Sequence, residues 1–204
     1  MKEFAASVVA DYNINSNCVR VAITRYNELL AMSSVLTLHN NRSALQAYIR
    51  ELGLLNGRRS PRLDNALREL RANVFSSTVV RPGATLIAVI VTDNLQPSTK
   101  LTNQANLAKS RGITIVAVGI TRRGRVDTTT LYAVASRNGS TTYATTVTDY
   151  SRLSGAVSVT LPWRCLIRPA PPAGRLTCSF ITAQCTLVQS AVLRSHVVRP
   201  SVRL

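Results

Sequence analysis

The chain has 204 residues, 46% of them apolar and 17% charged, which excludes a disordered low-hydrophobicity chain and a coiled coil and leaves room for one α/β domain plus a remnant. Its longest unbroken aliphatic run, Leu86 to Val91, falls far short of the roughly 18 residues that a membrane span needs. Twenty-two arginines and three lysines against nine acids give +16, a field that draws nucleic acid, anionic lipid or acidic polysaccharide in a salt-dependent way, and one that a codon-driven arginine bias would also produce.

Along the chain, apolar periodicity switches repeatedly between helical and extended patterns. Phe4, Val8 and Tyr12, with Ala5 and Val9 beside them, recur at helical spacing, and Val19, Val21 and Ile23 then alternate with Arg20, Ala22 and Thr24 as a strand. Val35 to Leu38 reads as a short second strand. A helix capped near Asn41 follows, with Leu45, Tyr48, Ile49 and Leu52 on its buried face. Beyond the Gly57 turn, Ser60-Pro61 supplies a hydroxyl cap and a first-position proline for the next helix, and Leu63, Leu67, Leu70 and Val74 line one side of it.

After the Arg81-Pro82-Gly83 turn, LIAVIV is a continuous aliphatic run of the kind found in a strand covered on both faces, ending at Thr92-Asp93-Asn94. Leu101 to Ser110 predicts a weaker helix closed by Arg111-Gly112, and Ile113 to Ile120 is a second fully apolar strand. Asp127 caps a helix carrying Leu131, Val134 and Ala135. Tyr143 to Val147 reads as the last strand, and Asp149 starts a short final helix through Leu153. Strands alternating with amphipathic helices predict an open, mostly parallel sheet with helices on both faces.

From Pro162 onward the periodicity dissolves. Residues 163–204 hold six arginines and no acid, leaving nineteen cations and nine acids, a net +10, for residues 1–162. The division is therefore residues 1–161 as the domain and 162–204 as a basic, cysteine- and proline-containing tail. Three readings of the tail stay open: a disordered basic arm, the start of a cysteine-rich module, or a mistranslated reading frame. The four cysteines, Cys18, Cys165, Cys178 and Cys185, show no Cys-x-x-Cys spacing, so zinc is not indicated and a disulfide framework is left open. MKEFAASVVA lacks the basic start and long apolar middle of a secretory signal.

Several segments, taken in order, resemble the von Willebrand factor A family. MKEFAASVV is similar to the second half of that family's first helix, VRVAITRYN to its second strand and following loop, and LNGRRSPRLDNALREL to the turn and helix after its third strand. RPGATLIAVIVTDN resembles its central strand ending in Thr-Asp-Gly, AKSRGITIVAVGI its helix, glycine turn and next strand, and LYAVAS with TVTDYSRLSG its late helix, closing strand and last helix. The likeness spans Met1 to about Leu161, four fifths of the chain.

That resemblance implies a sheet of order 3-2-1-4-5-6. Family members open with an aliphatic strand ending in Asp-x-Ser-x-Ser, and nothing precedes Met1 to match it. The expectation is a sheet lacking its central first strand, two half-sheets with unpaired backbone groups on facing edges. On this reading Met1 is an internal methionine and the chain a fragment of a longer extracellular protein.

The family's activity is protein binding through a metal-ion-dependent adhesion site, where Mg²⁺ takes hydroxyl and carboxylate oxygens and keeps several waters. Of the family's ligands, Asp93 matches the aspartate after the central strand, and Ser60 is the hydroxyl nearest the position of the threonine. The ordinary alternatives are a loop-bonding carboxylate for Asp93 and a helix cap for Ser60. With the serines and first aspartate absent, one or two oxygens would hold Mg²⁺ poorly. Phosphate-cradling loops, dinucleotide fingerprints and nucleophile elbows are missing, and His39 and His196 have no partner pattern, so no enzyme is expected. The resemblance implies an extracellular adhesion module whose partner is a matrix or cell-surface protein, a collagen-like one among the candidates. A basic polyanion-binding protein, its ligand a heparin-like acidic polysaccharide or, less expected as a partner, nucleic acid, is the alternative, and a non-functional fragment is the third reading.

Overall fold

The computed structural model describes residues 1–155, apart from 11, 16–18, 28–30, 35, 37–40, 54–60, 77, 79 and 123, together with 183–190. In chain order the elements are α1 (Lys2–Val8), β1 (Arg20–Tyr26), β2 (Ala31–Ser33), α2 (Arg42–Glu51), α3 (Leu63–Glu69), β3 (Thr85–Thr92), α4 (Thr99–Ser110), β4 (Ile113–Ile120), α5 (Thr128–Val134), β5 (Arg137–Asn138), β6 (Thr141–Thr142), β7 (Ala144–Val147) and β8 (Ala183–Ser190). A π-helical turn, Leu70–Val74, prolongs α3, and a 3₁₀ turn, Tyr150–Arg152, follows β7. Six strands form one sheet of order β2-β1-β8-β3-β4-β7, parallel throughout except for β2 at its edge; β5 and β6 make a separate hairpin.

The near-continuous apolar strands are explained by cover on both faces. Val21 and Ile23 of β1, Ile87, Val89 and Val91 of β3, and Val116, Val118 and Ile120 of β4 pack into one core with α1, α2 and Leu153. The intervening residues, Ala22, Tyr26, Ala88, Ile90, Ile115 and Ala117, face a second core built by α3, α4 and α5. With side chains alternating across the sheet at a period of two, only a strand apolar at every position satisfies both layers. Each fully buried aliphatic chain of this kind contributes about 1.5–3 kcal/mol.

Local signals set most of the boundaries. Asn41 accepts from the Ala44 amide, Ser98 from the Leu101 amide and Asp127 from the Thr130 amide, so three helices begin at side-chain caps. The third helix begins later than expected: Leu63 is its first residue, and Arg62, whose side chain has no acceptor atom, stands at its cap position without a side-chain cap bond, its amide donating to the Asn27 carbonyl at 3.0 Å. Pro61 therefore precedes that helix. The short second strand is Ala31–Ser33, antiparallel to β1; of the Val35–Leu38 segment only Leu36 lies among the described residues, as a buried turn residue. The β5–β6 hairpin adds to the expected elements; its two-residue loop, Gly139-Ser140, is of a hairpin type and Gly139 has φ +58°.

One expectation needs correction. The parallel α/β sheet stands as anticipated, but it has no empty centre: β8, from within the 162–204 segment, lies between β1 and β3 and runs parallel to both. Its register runs from Arg20↔Gln184 to Tyr26↔Ser190 on one side and from Thr85↔Ala183 to Val91↔Gln189 on the other. The physical reason is the cost of the alternative. Two facing strand edges buried under helices carry amides and carbonyls that must find partners, and any extended segment able to reach them satisfies both ladders at once.

Candidate functional site

The carboxyl ends of the parallel strands place the candidate site, since loops there can converge where connections leave the central strands in opposite directions. β3 ends at Thr92, which is wholly buried; its hydroxyl donates to the Asn94 carbonyl at 2.9 Å, and the Asn94 amide donates back to it at 3.3 Å. This closed turn projects Asp93 at the rim. The Asp93 carboxylate accepts a 2.6 Å hydrogen bond from the Tyr150 hydroxyl, joining the loop after β3 to the turn after β7. Sequence reading found Asp93 from the strand that precedes it but missed Tyr150, whose role depends on a partner 57 residues away.

The neighbouring loop is tied in by backbone. The Leu95 amide donates to the Arg125 carbonyl at 2.9 Å, and the Asp127 amide donates to the Leu95 carbonyl at 2.8 Å. Two further aspartates stand at this end of the sheet. Asp127 is held below the usual carboxylate range by bonds from Thr130, whose amide donates at 2.6 Å. Asp149 is held low chiefly by the Ser151 side chain, with the Ser151 amide donating at 2.8 Å. Both are occupied as caps of the turns they begin.

Of the two anticipated metal ligands, Asp93 is at the rim and Ser60 lies outside the described residues. The carboxylate that is in place already accepts a hydrogen bond from the Tyr150 hydroxyl, and no group of three or more His, Cys, Asp or Glu able to hold a metal occurs among the described residues. The strand occupying the centre ends Val188-Gln189-Ser190 at the register of Val91, so the ladder is restored without bringing an aspartate to that position. A hard octahedral ion wants several hydroxyl and carboxylate oxygens. The donors among the described residues do not fit one.

The opposite end of the sheet is cationic. Arg20 opens β1, Arg81 precedes β3, Lys109 sits in the last turn of α4 and Arg111 lies between α4 and β4. Lys109 donates to the Ala133 carbonyl at 2.9 Å and the Ala135 carbonyl at 3.4 Å; burial, and then Arg137, push its ammonium below the ordinary lysine range. Arg71 bonds Gln104, Arg111 bonds the Arg71 carbonyl, and Arg137 bonds Thr142, all neutral acceptors. Lys109 and Arg137 share a cleft of about 780 Å³ with Thr128, Thr129 and the 43% exposed Tyr132.

Comparison with known proteins agrees with this geometry. The family model of the von Willebrand factor type A domain matches residues 1–158. Proximal thread matrix protein 1 from the mussel byssus superposes with a TM-score of 0.70 at 20% identity, covering 81% of this chain and 41% of its own, and another structure of it has a zinc-occupied MIDAS motif. The manganese-loaded TRAP protein of Plasmodium vivax superposes with a TM-score of 0.58 at 12% identity over 78% of this chain and 64% of that one. No curated protein matches the sequence. The chain thus spans less than half of the byssus protein.

Proposed function

We propose, from the premise that this chain belongs to the von Willebrand factor type A family, that it is an extracellular protein-binding module of the adhesion and matrix type, working without a resident metal ion. The observation that carries the reading is the Tyr150–Asp93 bond at the carboxyl edge. It presents one carboxylate, pre-oriented by a rigid turn, on the face where the fold brings its loops together. Such an anchor suits a cationic or amide-bearing site on a matrix or cell-surface protein, with Asp93 as acceptor and the exposed Tyr150 ring as apolar contact. The byssus protein and TRAP support an adhesion setting by their fold, and among the described residues no helix is long and apolar enough to cross a membrane.

The test separates partner from metal. Binding of the chain to immobilised collagen-like and other matrix proteins is measured with and without chelator, alongside calorimetric titration with Mg²⁺. The expected results are partner binding that survives chelator and falls on Asp93→Ala, and no tight Mg²⁺ isotherm. Chelator-sensitive binding or tight Mg²⁺ uptake would overturn the metal-free clause; no matrix partner at all would overturn the adhesion reading.

A second reading is favoured by the cationic pole. Lys109, Arg137 and the Tyr132 ring around one cleft suit a sulfated saccharide, with two cations for the sulfates and an aromatic face for the sugar ring. Retention on heparin that falls steeply with salt, persists when Arg164, Arg168, Arg175, Arg194, Arg199 and Arg203 are replaced by alanine, and weakens on a Lys109→Ala, Arg137→Ala double substitution supports it. Retention lost with those six arginines alone refutes it.

A further inference from the structure

The central strand of a doubly covered parallel sheet ordinarily reads as an unbroken apolar run. β3 (TLIAVIVT) and β4 (ITIVAVGI) obey this, but β8 reads AQCTLVQS, with Gln184, Thr186, Gln189 and Ser190 polar. The flanks of its slot make no such concession. Val21, Ala22 and Ile23 on β1 and Ile87, Ala88, Val89, Ile90 and Val91 on β3 are all at most 2% exposed. The register sets Thr186 between Ala22 and Ala88, and Gln189 between Arg25 and Val91. Backbone ladders accept any extended segment regardless of its side chains, whereas the surrounding layers favour an aliphatic one. β8 therefore has the ladder without the matching composition.

Twenty-seven residues separate Gly155 from Ala183 in the sequence, a contour of roughly 90 Å at full extension. We propose that the slot between β1 and β3 is a strand-acceptor site. Its present occupant, the chain's own Ala183–Ser190, exchanges for an extended aliphatic segment that lies parallel to both flanks, a form of strand addition. The partner it fits is an exposed or unfolded segment of about eight residues, apolar at successive positions. This inference is independent of the adhesion reading, since it concerns the middle of the sheet and not its rim.

The experiment uses the full chain and three synthetic peptides spanning residues 181–192 with a solubilising lysine tail and alanine in place of Cys185. One keeps the remaining native sequence, one carries Gln184→Val, Thr186→Val and Gln189→Val, and one adds Leu187→Pro to the second. Hydrogen exchange read by mass spectrometry follows the amides of β1, β3 and β8. Without peptide, β8 amides are expected to be protected together with those of β1 and β3. The valine peptide should strip protection from 183–190 while β1 and β3 keep theirs, at a concentration at least about tenfold below that needed by the native-sequence peptide, and the proline peptide should do nothing. Thr186→Pro in the full chain, which weakens the occupant, should lower the valine peptide concentration required. The proposal fails if β8 protection persists at saturating valine peptide, if the proline peptide works equally well, or if 183–190 exchange freely from the outset, whether or not β1 and β3 are protected.

Discussion

Gly119 offers the sharpest quantitative test of the packing behind the candidate site. A Cβ at that position would stand 2.9 Å from Leu131 Cδ2, 2.9 Å from Val126 Cγ1 and 3.5 Å from Thr146 Cγ2. Leu131 is 1% and Val126 8% exposed, so neither methyl can swing into solvent. Overpacking a close-packed interior costs about 1–3 kcal/mol, while replacing a strand glycine by alanine returns about 0.5–1 kcal/mol of backbone entropy. Gly119→Ala should therefore lose about 1–2 kcal/mol, equivalent to ~3–6 °C in melting temperature for a domain of this size. Urea and thermal unfolding followed by far-ultraviolet circular dichroism measure it. Val126→Ala, which removes one of the two clashing methyls, should make the Gly119→Ala increment smaller in the double substitution. The effect reaches the rim, because Val126 lies between Arg125 and Asp127, whose backbone groups bond Leu95, two residues past Asp93. A Gly119→Ala protein as stable as the parent, or an increment unchanged by Val126→Ala, would refute the packing argument.

Three more outcomes follow from particular bonds. Asn41→Ala removes the cap that accepts from the Ala44 amide and should cost about 1 kcal/mol, whereas Asn41→Asp should be nearly neutral in the same unfolding assay; equal losses would show that the cap is not the cause. Asp64, Asp127 and Asp149 are held low, by Arg62, Thr130 and Ser151 first in each case. The stability they add is present above the unfolded carboxylate value of about 4 and is lost as pH falls through the folded values, so melting temperature should drop on acidification. Asp127→Asn, which keeps an accepting oxygen but cannot titrate, should flatten that acid limb, and an unaltered limb would contradict the assignment. Tyr150→Phe deletes the donor to Asp93; partner binding should weaken while stability changes by no more than about 1 kcal/mol, and unchanged binding to any matrix ligand found would remove Tyr150 from the site.

The alternation of amphipathic helices with apolar strands was legible in the sequence because it is written at periods of 3.6 and 2, and burial on one or two faces acts on each segment separately. The caps at Asn41 and Asp127 are equally local, each a side chain reaching an amide three residues on. Asp93 was found for the same reason: it ends a run whose composition marks a central strand. Tyr150 was not, because nothing near it in the chain speaks of Asp93. The start of α3 at Leu63 was not legible either: the chain there is tied to the end of β1 by the Arg62 amide and the Asn27 carbonyl, 35 residues apart. Above all, the centre of the sheet was decided by tertiary structure alone. Hydrogen-bond ladders recognise backbone and not side chains, so AQCTLVQS carries no mark of the place it fills between β1 and β3. A slot's demand for a strand is set by the edges that enclose it, and those edges exist only once the rest of the chain has folded around them.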